Sequence, residues 1–147
     1  MNGNLKDKAF LPQPPNYKIL ENEGKASIFT ATNLFAHIQD YESFVQALKN
    51  ILSDDGIFVF QVPHFLQLIK NLEYDTIYHE HFSYFSLLTA MKVFHHHNLE
   101  IFDVEEIPTH GGSLRLYVKH ATNNYLSITP NVKMVIDKEH RYGLDDI

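Results

Sequence analysis

The chain has 147 residues, 44% hydrophobic and 13% aromatic, enough for one domain with an apolar core and too apolar for a disordered chain. Its 18 acidic against 12 basic residues leave a net charge of −6 with no Lys/Arg cluster, so nucleic acid is not an expected partner. The lack of cysteine excludes disulfides, thiolate zinc sites and thiol catalysis; no apolar run approaches the roughly 18 residues that span a bilayer, and MNGNLKDKAF has no signal-peptide pattern, so the chain reads as cytoplasmic with no membrane partner.

Residues 1–25, containing LPQPPNY and ENEGK, read as an irregular lead-in, because prolines oppose regular structure and the apolar residues show no period. SIFTAT is a short β-prone run. Asp40 is placed to N-cap an amphipathic helix in which Tyr41, Phe44, Val45, Leu48, Ile51 and Leu52 recur at helical spacing, and Gly56 of DDG is its expected C-terminal stop. IFVFQV then has the continuous apolarity of a fully buried strand. Strand, helix and strand form a βαβ unit. Its parallel strands end on the one sheet edge where open α/β folds bind ligands, so Asn33 to His37 and Pro63 to His64 share that edge.

Farther on, Leu87, Leu88, Met91 and Phe94 mark one face of a further helix with Ser86 as its cap, and LEIFDVEEI follows as a strand. After PTHGG, the run SLRLYVK alternates apolar and polar residues with the period of a half-buried strand, which predicts a terminal antiparallel pair. From Ala121, TNNYLSITPN is loop-like, and VKMVIDKEHRYGLDDI reads as a helix without an evident partner. No internal repeat is present.

The segment YDTIYHEHFSYFS, residues 74–86, concentrates groups able to move protons. Read as a helix, it puts Tyr78 and His81 on one face while Glu80 diverges; a tight loop is the other reading. An imidazole with an unperturbed pKa of about 6.5 takes a proton near neutral pH, and a tyrosine hydroxyl donates to a developing oxyanion, a pairing suited to enolate chemistry. The competing reading is an aromatic stripe of Tyr74, Tyr78, Phe82 and Phe85 packed on a core. His95, His96 and His97 suit a solvated helix C-terminus, and HEH lacks the spacing of the HExxH zinc motif, so no metal site is expected. In THGGS the paired glycines either form a simple turn or let backbone N–H groups approach a phosphate or sugar oxygen. His37 and Asn33, at the ligand edge, have ordinary readings as capping and turn residues.

Taken together, TATNLFAHI, DGIFVFQVP, YDTIYHEHFSYFS and THGGSLRLYV occur in an order and spacing that resemble the S-adenosylmethionine-dependent sugar C-methyltransferases, from about Lys25 to His120. The resemblance implies an α/β, partial Rossmann-like methyltransferase fold and methylation of a ring carbon in a nucleotide-linked 4-keto-deoxysugar. It casts His81 as the base, with Tyr78, Glu80 and His37 as companions, Asn33 lining the cofactor pocket, and His110, Gly111, Gly112 and Ser113 on the substrate. The family's cysteine-rich zinc segment and glycine-rich S-adenosylmethionine loop are both absent from this sequence. Residues 26–120 are therefore expected to form the second half of a methyltransferase domain and 121–147 a linker into a C-terminal region. Such a chain should hold S-adenosylmethionine weakly or not at all, and should self-associate or take a partner over its open sheet edge. Two rival functions are a non-catalytic sugar-nucleotide-binding module using HGGS, and a metal enzyme built on His79, His81 and His110 or on His95 to His97.

Overall fold

The computed structural model describes residues 24–145, so the expected lead-in lies outside the described residues except for Gly24 and Lys25. Strand β1 (Ala26–Thr32) pairs in parallel with β2 (Leu52–Pro63), Phe29 beside Phe58 and Ala31 beside Phe60, with helix α1 (Tyr41–Ile51) crossing between them. Helix α1 forms where its spacing predicts. The Asp40 carboxylate accepts from the Ser43 amide at 3.0 Å, the Ser43 side chain and then this amide hold its carboxyl below the usual carboxylate range, and Val45, Leu48 and Ile51 form the buried stripe.

Gly56 does not stop that helix. α1 ends at Ile51, Leu52 already belongs to β2, and the pairing jumps from Ala26 opposite Leu52 to Ile28 opposite Ile57. The residues between loop out as a bulge, and Gly56 re-enters the strand against β1: a Cβ there would lie 2.8 Å from the Ala26 carbonyl oxygen. The glycine answers a close backbone approach, not a helix terminus.

The sheet has the order β1-β2-β4-β3, where β3 is Leu99–Ile107 and β4 is Ser113–His120. The predicted antiparallel pair is present, and β4 is wedged between β3 and β2, antiparallel to both. Phe58, Phe60 and Val62 face Val118, Leu116 and Leu114 across that junction, and these residues build one core with α1, α3 (Leu87–His96) and α4 (Pro130–Tyr142). IFVFQV is consequently not buried on both sides. Ile57 and Val59 point to the opposite face and are half-buried, while Ile28 beside Ile57 is 63% exposed.

Ser86 and Thr89 form a capping box at the start of α3. Of the three histidines at its end, His95 and His96 are solvated as expected, but His97 is buried with its Nε2 2.8 Å from a Glu42 carboxylate oxygen. A short helix α2 (Phe65–Asn71), not legible in the sequence, begins after His64 and ends at Leu72 in the left-handed region. Helix α4 does have partners: it packs on β3 and α3 through Val132, Val135 and Glu139, starting at Pro130 and ending at a left-handed Gly143. No helix among the described residues is long and apolar enough to cross a membrane.

Replacing Gly56 by alanine should destabilise the chain by about 1–3 kcal/mol, because the added methyl meets backbone that cannot yield. Urea denaturation measures this, and an unchanged midpoint would show that β1 does not press on Gly56.

Candidate active site

Parallel pairing brings the ends of β1 and β2 to one edge. There Phe35 is buried at 1% exposure and packs its ring within 5.1–5.8 Å of the rings of Phe44, Phe60, Phe85 and Phe94. This plug fixes the loop after β1 and leaves Asn33 and His37, on either side of it, at the surface of the edge. Asn33 adopts φ 52°, its amide N–H donates to the Gln61 carbonyl at 3.0 Å, and its side-chain amide donates to His110 Nε2 at 2.7 Å. Its Oδ1 is buried and without a partner.

The histidine-rich segment is a loop rather than a helix: a 3-10 turn over Tyr74–Thr76 leads into irregular backbone up to Ser86. The aromatic-stripe reading fails with it, since Tyr74, Tyr78 and Phe82 are exposed and only Phe85 enters the core. The loop is stitched to the first one, the amides of Phe82 and Ser83 both donating to the Ala36 carbonyl at 2.8 and 3.4 Å. That contact puts the His81 and His37 rings side by side, with centroids 4.8 Å apart.

Hydrogen bonding fixes the chemistry of both rings. His81 Nδ1 lies 2.8 Å from the Thr76 carbonyl oxygen, which can only accept, so Nδ1 carries the proton and Nε2 is left as the nitrogen able to accept. Tyr78 donates its hydroxyl to that Nε2 at 3.2 Å. His37 Nδ1 is held in the same way by the Glu80 carbonyl at 2.9 Å. It is the backbone of Glu80 that orients a ring; its side chain is exposed and lies 3.9 Å from His79 Nε2.

The third element is the turn between β3 and β4. His110 has φ 51° and faces Asn33, and Gln61 Nε2 donates to Thr109 Oγ1 at 3.0 Å. The glycines are filled from outside: a Cβ on Gly111 would fall 2.0 Å from a Glu73 carboxylate oxygen, and one on Gly112 2.7 Å from Gln67 Cγ. Ser113 is buried, its hydroxyl donating to the Thr109 carbonyl at 2.9 Å. Of the four residues expected on the substrate, His110 therefore meets the other site residues, while Gly111, Gly112 and Ser113 shape the turn that presents it.

Several supporting residues went unrecognised in the sequence. Asn71 donates to Glu73 Oε1 at 2.8 Å and to the Gly111 carbonyl at 2.9 Å, and the Glu73 carbonyl accepts from Thr76 Oγ1 at 2.8 Å, so one chain of bonds joins the glycine turn to the carbonyl that orients His81. No motif marks these residues; only the fold brings them together. A narrow crevice of about 10 Å³, roughly the space of one water, opens beside His81 between Ala36, Pro63 and Tyr84. The larger depression, ≈ 490 Å³, lies between β3 and α4, is lined by none of the candidate residues, and has Glu106 paired to Lys138 and Glu105 to Arg115. The candidate residues gather at the histidine edge.

Residues 3–104 match the family model described as a methyltransferase domain. The chain belongs to the methyltransferase family. Residues 108–147 match a second model, the C-methyltransferase C-terminal domain, so the two methyltransferase segments meet between β3 and β4 inside one continuous sheet. The chain is 34% identical over 127 residues to C-methyltransferase NovU of Streptomyces niveus; the match covers 86% of this chain and spans 30% of that relative's length. Its fold is also similar to that of LepI in complex with SAM, with a TM-score of 0.52, 9% identity, and coverage of 65% of this chain and 26% of LepI. The α/β sheet of this chain is thus Rossmann-like, as the sequence predicts.

In its neutral form His81 should populate the Nδ1–H tautomer, and long-range ¹H–¹⁵N spectra should place the unprotonated nitrogen at Nε2. A dominant Nε2–H tautomer would overturn the orientation by Thr76.

Proposed function

We propose that the chain carries the proton-abstracting part of an S-adenosylmethionine-dependent C-methyltransferase acting on a nucleotide-linked 4-keto-deoxysugar. The observation that supports it most directly is the His81 ring, whose Nδ1 is held by the Thr76 carbonyl so that Nε2 is the accepting nitrogen, beside a tyrosine hydroxyl and a second imidazole. A carbon beside a ketone is a poor nucleophile until it loses a proton. His81 Nε2 takes that proton, and the C–H bonding pair moves into the enolate. Tyr78, whose hydroxyl donates to Nε2 in the substrate-free chain, is released as the substrate enters and donates to the enolate oxygen. His37, held by the Glu80 carbonyl, lines the same wall, and the exposed Glu80 carboxylate accepts a sugar hydroxyl.

S-adenosylmethionine, when bound, supplies an electrophilic methyl group. Asn33 fits a place in its pocket: its buried, unpartnered Oδ1 is an acceptor awaiting a donor, at the carboxyl end of β1 where α/β sheets take ligands. Strand β1 is an edge of the described sheet, and a second copy or a further segment that pairs with it would complete the domain in a cytoplasmic setting. The metal-enzyme reading has no comparable support, since no group of three potential ligands is assembled among the described residues.

Deprotonation can be tested apart from methyl transfer. In D₂O the chain should exchange the hydrogen beside the keto group of a nucleotide-linked 4-keto-deoxysugar, followed by proton NMR, and His81→Gln should slow this by about 10²-fold or more. Equal rates in the two proteins, or no exchange above buffer with the unmodified chain, would refute the assignment of His81 as base. Saturation transfer from protein to sugar nucleotide without exchange would favour a binding module.

A further inference from the structure

Glu139 lies on the apolar stripe of α4 with Val132 and Val135 and is completely buried. Burying a carboxylate is costly, and an apolar side chain there would pack α4 without that cost. This carboxylate is saturated with donors instead. Oε1 accepts from the Leu87 amide at 2.6 Å and from His64 Nε2 at 2.8 Å, and Oε2 accepts from the Leu88 amide at 2.9 Å. It therefore closes the first turn of α3, where the backbone amides and the helix dipole favour a negative charge.

Both ends of this arrangement lead into the proposed active site. Leu87 follows directly on the loop that carries His81, a loop fixed at its other side by the Ala36 carbonyl. His64 is the hinge between β2 and α2: its amide donates to the Gly112 carbonyl at 3.0 Å, it bridges to Phe85, and the next amide, that of Phe65, donates to the Phe85 carbonyl at 2.9 Å. With Nε2 given to Glu139, His64 Nδ1 is buried without a hydrogen-bond partner; Oε1 of Glu106, whose Oε2 pairs with Lys138, is 3.8 Å away.

We infer that Glu139 is a positioning residue of the reaction: with His64 as its partner, the carboxylate of the C-terminal helix sets the placement of the His81 loop and of the His110 turn. The functional meaning rests on His81 being the base, but the placement itself is measurable without turnover. A carboxylate is required because glutamine has one acceptor only; its amide group would oppose either the Leu88 N–H or the pair formed by Leu87 N–H and His64.

The test compares Glu139→Gln with Val135→Ala, a truncation on the same face of α4 that touches none of these donors in the hydrogen-bond network. Glu139→Gln should speed hydrogen exchange at the Phe82 amide by about 10-fold or more and convert His81 to a mixture of tautomers, while Val135→Ala leaves both as in the unmodified chain. Unchanged Phe82 exchange and His81 tautomer in Glu139→Gln, or equal changes in Val135→Ala, would overturn the inference. Should Glu139→Gln not fold, native-state exchange in the unmodified chain decides. The amides of Leu87, Leu88 and Phe82 must then open with one free energy and one denaturant dependence, and independent opening of Phe82 refutes the coupling. Failure of the His81 reading would show separately, as unaltered substrate exchange in His81→Gln.

Discussion

The parallel pairing of β1 with β2 is the constraint from which the site descends. It sends Asn33 and Gln61 to the same edge, and because β4 runs antiparallel to β2 with Pro63 opposite Ser113, the β3–β4 turn arrives there too. β3 ends beside the start of β4, Ile107 opposite Ser113. Four strand ends therefore meet, and every candidate residue except Ser113, which opens β4, lies on a loop that leaves one of them or packs against it. A single-residue shift in the β1–β2 register would turn Phe29 and Ala31 away from the core and dismantle the edge.

The edge is held under strain. Of the four non-glycine residues with positive φ among the described residues, three border the site: Asn33, Leu72 and His110. Such conformations cost about 1 kcal/mol or more each and persist where the surroundings over-determine them. The bond between Asn33 and His110 ties two of the strained residues to each other, and Leu72 terminates the helix that leads into the Asn71–Glu73 clamp. The reward is an imidazole whose Nδ1 is held by a backbone carbonyl, an orienting group that pH does not change.

Period and punctuation made the framework legible. The stripe of α1, the Asp40 and Ser86 caps and the alternation in β4 are all local, and the structure follows them. Gly56 resembles a helix stop because a glycine after a helical stripe has the same appearance whether it caps the helix or yields to a neighbouring strand, and only the partner Ala26, far away in sequence, distinguishes the two. The histidine cluster could be recognised as chemical but not as a loop, since its aromatic spacing also fits a helix. Its stitching to the Ala36 carbonyl is a tertiary fact. Glu139 did leave a trace, an acid on the stripe of Val132 and Val135, but its donors come from α3 and β2 and no pattern within α4 names them.

The order of strands carries a consequence for synthesis. β3 does not pair with β2; it joins the sheet only through β4, whose Lys119 pairs with Ile57 of β2 and whose Val118 pairs with Ile101 of β3. As the polypeptide leaves the ribosome, the third strand made must wait for the fourth, and the loop closed by that last pairing is long enough for its entropy to slow assembly. Until then the apolar flank of β2 is open to any other nascent chain, which makes this half-built sheet a natural client for chaperones.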